Sequence, residues 1–253
     1  TAKGQEAGLK NILYVHFTMD DNLSLSEEIK ARYRSMYTGV FFKRYILGLW
    51  AMAEGIIYDM FDADKHVQKI TDFFRRLKDG ERYVSCDYGT QNATVFLLWN
   101  KGNNGKWYCV REYYYSGRAK GKQKTDGEYA DDFEKWLDGV PIRAVIVDPA
   151  AASFIAELGK RGYRVLKADN DVEDGIREVA SMLNMGLLVF CDTCINTIME
   201  FGSYIWDEKA AQRGEDRPVK ENDHAMDAVR YFVYTILSKR TGRVKNKAKY
   251  GFD

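Results

Sequence analysis

The stretch from 82 to 116 constrains the fold more than any other part of the chain. It reads "RYVSCDYG", "ATVFLLWN" and "KWYCVREYYY", three runs rich in aromatic and β-branched residues, parted by short Gly- and Asn-containing turns. Such runs at strand length, joined by connections this short, predict an antiparallel three-strand meander. A meander has faces to cover, and the following sequence supplies the cover. A basic loop, "SGRAKGKQKT", leads into a helix expected at 127–137, and "RAVIVD" is the continuous apolar run of a strand covered on both faces. Helices expected at 150–161, 172–183, 195–203 and 224–237 then alternate with the short strands "YRVLKA" and "LLVF". Three meander strands followed by alternating helices and strands describe a mixed-sheet α/β domain with flanking helices.

Ahead of this region lie a strand, "NILYVHFT", a helix expected at 26–36, and "YILGLWAMAEGIIYDMF", which reads as a connector packed against a partner. The chain thus divides into 1–78, a domain at 79–238 and a basic tail at 239–253. No GxxxxGK[ST] phosphate loop occurs, and the chain begins at Thr1, so a piece of a longer polypeptide is expected. At 45% hydrophobic residues the chain can bury a sizeable core, and its net charge of +1 leaves any nucleic-acid attraction to local patches. No apolar run approaches the roughly 20 residues of a membrane span, so no membrane partner is expected and the location should be cytosolic. Cys191 and Cys194 form one CxxC without a matching pair in Cys86 and Cys109, so all four are expected as small core hydrophobes rather than zinc ligands.

Three acidic positions stand out by their place. Asp87 lies inside a β-rich run, on the strand face of Tyr83 and Ser85, where an ionised carboxylate is costly unless compensated. The plain alternative is an edge-strand Asp before the Gly89 turn. Asp148 ends the apolar strand and precedes Pro149, an ordinary helix start with Asp as cap, yet it also sits where α/β sheets open into their crevices. Asp223, His224 and Asp227 begin the last helix, whose core-facing stripe is Met226, Val229, Val233, Ile236 and Leu237. Acids at a helix start have a dipole explanation, which suits Asp223 as cap; Asp227 is a full turn inside.

Carboxylates converging from a first strand, a strand end and a late helix would repel one another unless a cation lay among them. Hard oxygen donors suit Mg²⁺ or Mn²⁺, and a pair of such ions activates water for attack on a phosphodiester. His224 could ligate a metal or carry a proton, or lie at the surface of the helix start.

The segments "SCDYGTQNATV", "VIVDPAAASFIAELGKRGYRV", "DVEDGIREVASML", "FGSYIWDE" and "ENDHAMDAVRY", in this order over 82–237, resemble the C-terminal nuclease domain of the large terminase subunit of tailed bacteriophages. "GLWAMAEGIIYDMF" is similar to the connector at which that family's ATPase domain passes into the nuclease. The resemblance implies a ribonuclease H-like fold, with Asp87, Asp148, His224 and Asp227 binding two Mg²⁺ or Mn²⁺ ions. It also implies an endonuclease cutting concatemeric double-stranded viral DNA during genome packaging in the host bacterial cytoplasm. An ATPase domain in cis, the terminase small subunit and the portal protein would be its partners. The polar stretch 207–222 would be a hairpin or loop beside the site. Arg118, Lys120, Lys122 and Lys124 in the basic loop, with the basic tail, are candidate phosphate contacts; the alternative for each cluster is a solvated surface. Two other readings fit the residues: another ribonuclease H-like nuclease such as a Holliday-junction resolvase, or a non-cutting module that guides DNA or docks on the packaging motor.

Overall fold

The computed structural model describes residues 15–69, 71, 77–89 and 92–238. The basic tail and most of the strand expected at "NILYVHFT" lie outside the described residues; 15–18, its last four, form no strand. Seven strands make one mixed sheet: β1 (Val67–Gln68), β2 (Leu77–Asp87), β3 (Ala93–Gly102), β4 (Trp107–Ser116), β5 (Ala144–Val147), β6 (Val165–Lys167) and β7 (Leu188–Cys191), in spatial order β1-β7-β4-β3-β2-β5-β6. The expected meander is β2–β3–β4, antiparallel throughout. Strands β5 and β6 add in parallel beside β2, and β7 and β1 add in parallel beside β4.

The helices are α1 (Glu27–Met36), α2 (Gly39–Tyr45), α3 (Ala63–His66), α4 (Gly117–Lys120), α5 (Asp126–Leu137), α6 (Ala152–Lys160), α7 (Val172–Asn184), α8 (Ile195–Ser203), α9 (Glu208–Gln212) and α10 (His224–Phe232). Helix α10 continues as a π turn over Val233–Leu237. Side chains of β3 alternate between two cores, as a strand covered on both faces requires. Val95, Leu97 and Trp99 join Phe190, Phe201 and Phe232 on one side; Phe96 and Leu98 join Phe133 and Phe154 on the other. The Trp99 ring stacks on Phe232 at 4.4 Å, and its indole N–H donates to Ser85 Oγ at 2.9 Å, which satisfies the buried donor. The expected stripe of the last helix is buried along its whole length, and all four cysteines are buried and unbridged.

Residues ahead of β2 enter the same core: Phe41, Ala53, Ile57 and Tyr58 pack with the α10 stripe. Trp50 is 90% exposed. The Trp206 amide donates to Gly55 O and the Ile57 amide to Tyr204 O, and the Asp207 and Val219 amides donate to Arg217 O and Ile205 O. Residues 55–57, 204–207 and 217–219 therefore form a small three-stranded ribbon. The stretch 207–222 holds α9 and then returns along this ribbon, fastened to α2 by the Arg44–Asp216 ion pair. Among the described residues, no helix is long and apolar enough to cross a membrane.

Candidate active site

Strand β2 delivers Asp87 at its C-terminal end, and the first turn of α10 delivers His224 and Asp227. These meet at a cavity of about 440 Å³, which Tyr114, Arg118, Lys220 and Asp223 also line. His224 Nδ1–H donates to Asp87 Oδ2 at 2.9 Å, joining groups 137 residues apart. Lys220 Nζ lies 3.0 Å from Asp223 Oδ2 and 3.2 Å from Asp227 Oδ2. The other Asp227 oxygen accepts from Arg230 Nη2 at 2.8 Å, and the buried Arg230 also donates to the carbonyls of Asn170 and Asp171. This clamp needs a hollow in α7. A side chain at Gly175 would put its Cβ 2.5 Å from Arg230 Cγ, so only glycine leaves room there.

The electrostatics are set first by burial. Burial pushes the Asp87 carboxyl up to about 6; the His224 hydrogen bond opposes the shift, and the charge of Asp227 adds to it. Burial likewise pushes Glu200, beneath the helix start, up to about 7 against its hydrogen bonds from Tyr114 and the Ala225 and Met226 amides. For His224, burial opposes the charge, but the Asp87 hydrogen bond and the nearby acids outweigh it and hold the imidazole above its ordinary pKa. All three groups hold a proton more tightly folded than unfolded. Their stabilising contribution is therefore full below their unfolded values and is lost as the pH rises through the folded ones. In EDTA, the melting temperature is expected to fall from pH 5 to pH 8; thermal unfolding that stays level or rises over this window would contradict the assignment.

Of the residues singled out in the sequence, Asp87, His224, Asp227 and Arg118 line one cavity. Asp148 follows Val147, the register partner of Cys86, so it stands at the strand end beside Asp87. It is not among the cavity-lining residues: its Oδ2 accepts from Tyr231 Oη at 2.8 Å and its Oδ1 from the Ala150 amide at 2.7 Å. It does not cap α6, which begins four residues later behind Ala151, because the chain makes a side-chain-closed turn over Pro149 and Ala150 first. Asp223 holds the cap position of α10, yet its carboxylate makes no capping bond and turns to Lys220. In the basic loop, Arg118 and Lys120 are exposed, Lys122 lies 3.6 Å from Glu128, and Lys124 is held by Asp132 and sits 4.1 Å over the Tyr115 ring. Lys220, Arg230, Tyr231 and Glu200 went unnoticed in the sequence. Arg230, at +3 from Asp227 on the same helix, was open to detection on helical spacing; Lys220, outside the helix, was not.

Among the described residues, no three His, Cys, Asp or Glu side chains form a ready metal cage. The Lys220 ammonium occupies the gap between Asp223 and Asp227, a tethered cation where a hard ion would find carboxylate oxygens, and His224 engages Asp87. The donor set of carboxylates with one imidazole fits Mg²⁺ or Mn²⁺.

The family model of the terminase RNaseH-like domain matches residues 87–235, beginning at Asp87 itself. The large terminase subunit of Escherichia phage T5 is 27% identical over 247 residues, 93% of this chain and 54% of that protein. The large terminase of the thermophilic bacteriophage D6E, solved in complex with ADP, is 56% identical, with a TM-score of 0.83 over 92% of this chain and 57% of its own. The chain thus spans little more than half the length of these relatives. The large terminase nuclease of thermophilic phage G20c, solved with bound magnesium, shares the fold at 13% identity and a TM-score of 0.53, over 74% of this chain and 98% of that one. The seven-stranded mixed sheet is accordingly that of a ribonuclease H-like fold, and the chain belongs to the terminase RNaseH-like domain family.

Proposed function

We propose that this chain is the divalent-metal-dependent endonuclease portion of a large terminase subunit, cutting concatemeric double-stranded viral DNA as genome packaging starts and ends. The observation that carries this reading is the convergence of Asp87, Asp223, His224 and Asp227 with the cationic Arg118 and Lys220 on a single cavity. Asp87, Asp148, His224 and Asp227 would hold the metals, as the magnesium bound in the G20c terminase nuclease suggests by analogy of fold. Two Mg²⁺ or Mn²⁺ ions, when bound, would activate a water for in-line attack and stabilise the departing oxygen.

The chain's own residues do the rest. Arg230, by holding one Asp227 oxygen, leaves the other to face the cavity. Tyr231 and the Ala150 amide, one on each oxygen, fix the orientation of Asp148. Lys220 must give up its place between Asp223 and Asp227, which frees its ammonium for a phosphate; Arg118 at the wall attracts the backbone without reading bases. Lys120, exposed in the same loop, and the basic tail extend this attraction, whereas Lys122 and Lys124 are drawn to Glu128 and Asp132. In the whole protein, 1–78 connects to an ATPase domain in cis and 79–238 forms the nuclease, working with the small subunit and portal in the host cytoplasm.

The test is direct. With Mn²⁺ the protein should nick and linearise supercoiled plasmid, and chelation by EDTA should stop it. Cleavage that survives EDTA, or plasmid left intact with every divalent ion tried, would remove the reading.

A further inference from the structure

The geometry points to Glu200 as a positioning residue: it caps α10 in place of Asp223 and so leaves the Asp223 carboxylate to the cavity. This inference rests on the site reading above and adds a residue to it from α8, 25 positions away.

Four observations carry it. A helix normally takes its cap from the residue just before it, whose backbone is extended and whose side chain accepts from the second or third amide of the helix. Asp223 has a residue type that caps well, but its φ of −115° and ψ of 5° are not extended, and its side chain accepts no helix amide. The amides that it would have served, those of Ala225 and Met226, instead donate to Glu200 Oε2 at 2.7 and 3.2 Å. Glu200 is 4% exposed, and its other oxygen accepts from Tyr114 Oη at 2.9 Å, so a cavity-lining tyrosine holds it in place. Asn222, at a φ of +52°, turns the chain into this arrangement, a left-handed conformation that Asn tolerates better than most residues.

Burying a carboxylate costs free energy unless its bonds repay it, and here they are spent on two backbone amides that Asp223 could have satisfied alone. What the fold gains is a free Asp223. Its carboxylate stays on Lys220 at 3.0 Å, beside Asp227, rather than folding back over the helix end. His224, lying between the unused cap and the amides that Glu200 holds, is fixed so that its Nδ1 meets Asp87.

Two measurements on the protein test this. The first is the crystal structure of Glu200→Ala, in which the Asp223 carboxylate should rotate onto the Ala225 amide and leave Lys220; Asp223 still on Lys220 with both amides uncapped would overturn the inference. The second is calorimetric binding of Mn²⁺ alone, without DNA. Glu200→Ala should weaken binding roughly 10- to 100-fold, as loss of a residue that orients ligands does. Glu200→Gln keeps the length and an acceptor oxygen, and should restore binding to within about threefold of wild type, well inside that 10- to 100-fold loss. Glu200→Asp keeps the charge but withdraws it by a methylene, and should bind as poorly as Ala. If the Ala variant does not fold, the contrast of Gln with Asp decides alone: Asp matching wild type while Gln fails would mean that charge, not position, is what Glu200 provides. A wild-type protein that binds Mn²⁺ and shows this pattern but leaves plasmid intact would sink the nuclease reading while the positioning role stands.

Discussion

Asp87→Asn is expected to lose plasmid cleavage by roughly 10³-fold, the upper end of what removal of one preorganised contact to developing charge costs, while melting at a higher temperature than wild type. The two signs come from one cause. Asp87 sits at the end of a strand covered on both faces, burial has pushed its carboxyl up to about 6, and Asp227 repels it further. An ionised group there destabilises the metal-free fold at neutral pH. Asn keeps the shape and still accepts from His224 Nδ1, so the fold loses a charge and little else. A site that gains stability when its key acid is neutralised is one held under tension for function. Cleavage by nicking assay and melting by calorimetry in EDTA check both halves; an Asn variant that cuts as wild type would remove Asp87 from the site.

The second large effect is expected at Gly175, which touches no part of the cavity. Within a helix, Gly→Ala ordinarily stabilises by about 0.5–1 kcal/mol. Here the added methyl would lie 2.5 and 2.7 Å from Arg230 Cγ and Cδ, mid-chain atoms of a side chain pinned to Asp227 and to two carbonyls. Arg230 cannot retreat without leaving Asp227 as a buried carboxylate short of its partner. Overpacking costs about 1–3 kcal/mol and breaking a buried pair about 3–5 kcal/mol. At a net loss of about 3 kcal/mol, a chain of this size should melt about 6–12 °C lower. Cleavage should fall with it, because Asp227 loses the bond that fixes its free oxygen. A Gly175→Ala protein that melts higher, as helix propensity alone dictates, would show that the Arg230 clamp does not carry this weight.

How much of this could be read from the sequence depended on the range of the interaction. The meander declared itself because strand length, turn residues and aromatic and β-branched composition are local, and α8 and the buried stripe of α10 fell where helical spacing placed them. Asp87 and Asp227 were visible because each is an acid where local structure gives it little reason to be. The supports were not visible. Glu200 reads as one more polar residue on α8 until the fold brings it under the Ala225 amide, and Lys220 reads as part of a solvated stretch until it meets Asp223 and Asp227. The caps misled for the same reason. Asp148 and Asp223 each had the right residue type at a helix start, but turn closure at Ala150 and the distant Glu200 took over the work. The basic loop, uniform in sequence, was divided by its partners: Lys124 went to Asp132 and Tyr115, while Arg118 stayed at the cavity.

The ribbon of 55–57, 204–207 and 217–219 bears on force as well as shape. Its strands are joined by backbone hydrogen bonds in series, Trp206 to Gly55 and Val219 to Ile205, and Val219 is the immediate neighbour of Lys220. Residues 55–57 are therefore linked through backbone hydrogen bonds to the neighbour of the cation that sits among the carboxylates. Each link is worth only about 1 kcal/mol net, and the links act in series. A load borne by the segment around Trp50 would be felt at the cavity as a displacement of Lys220, with no side chain between needing to change its partner.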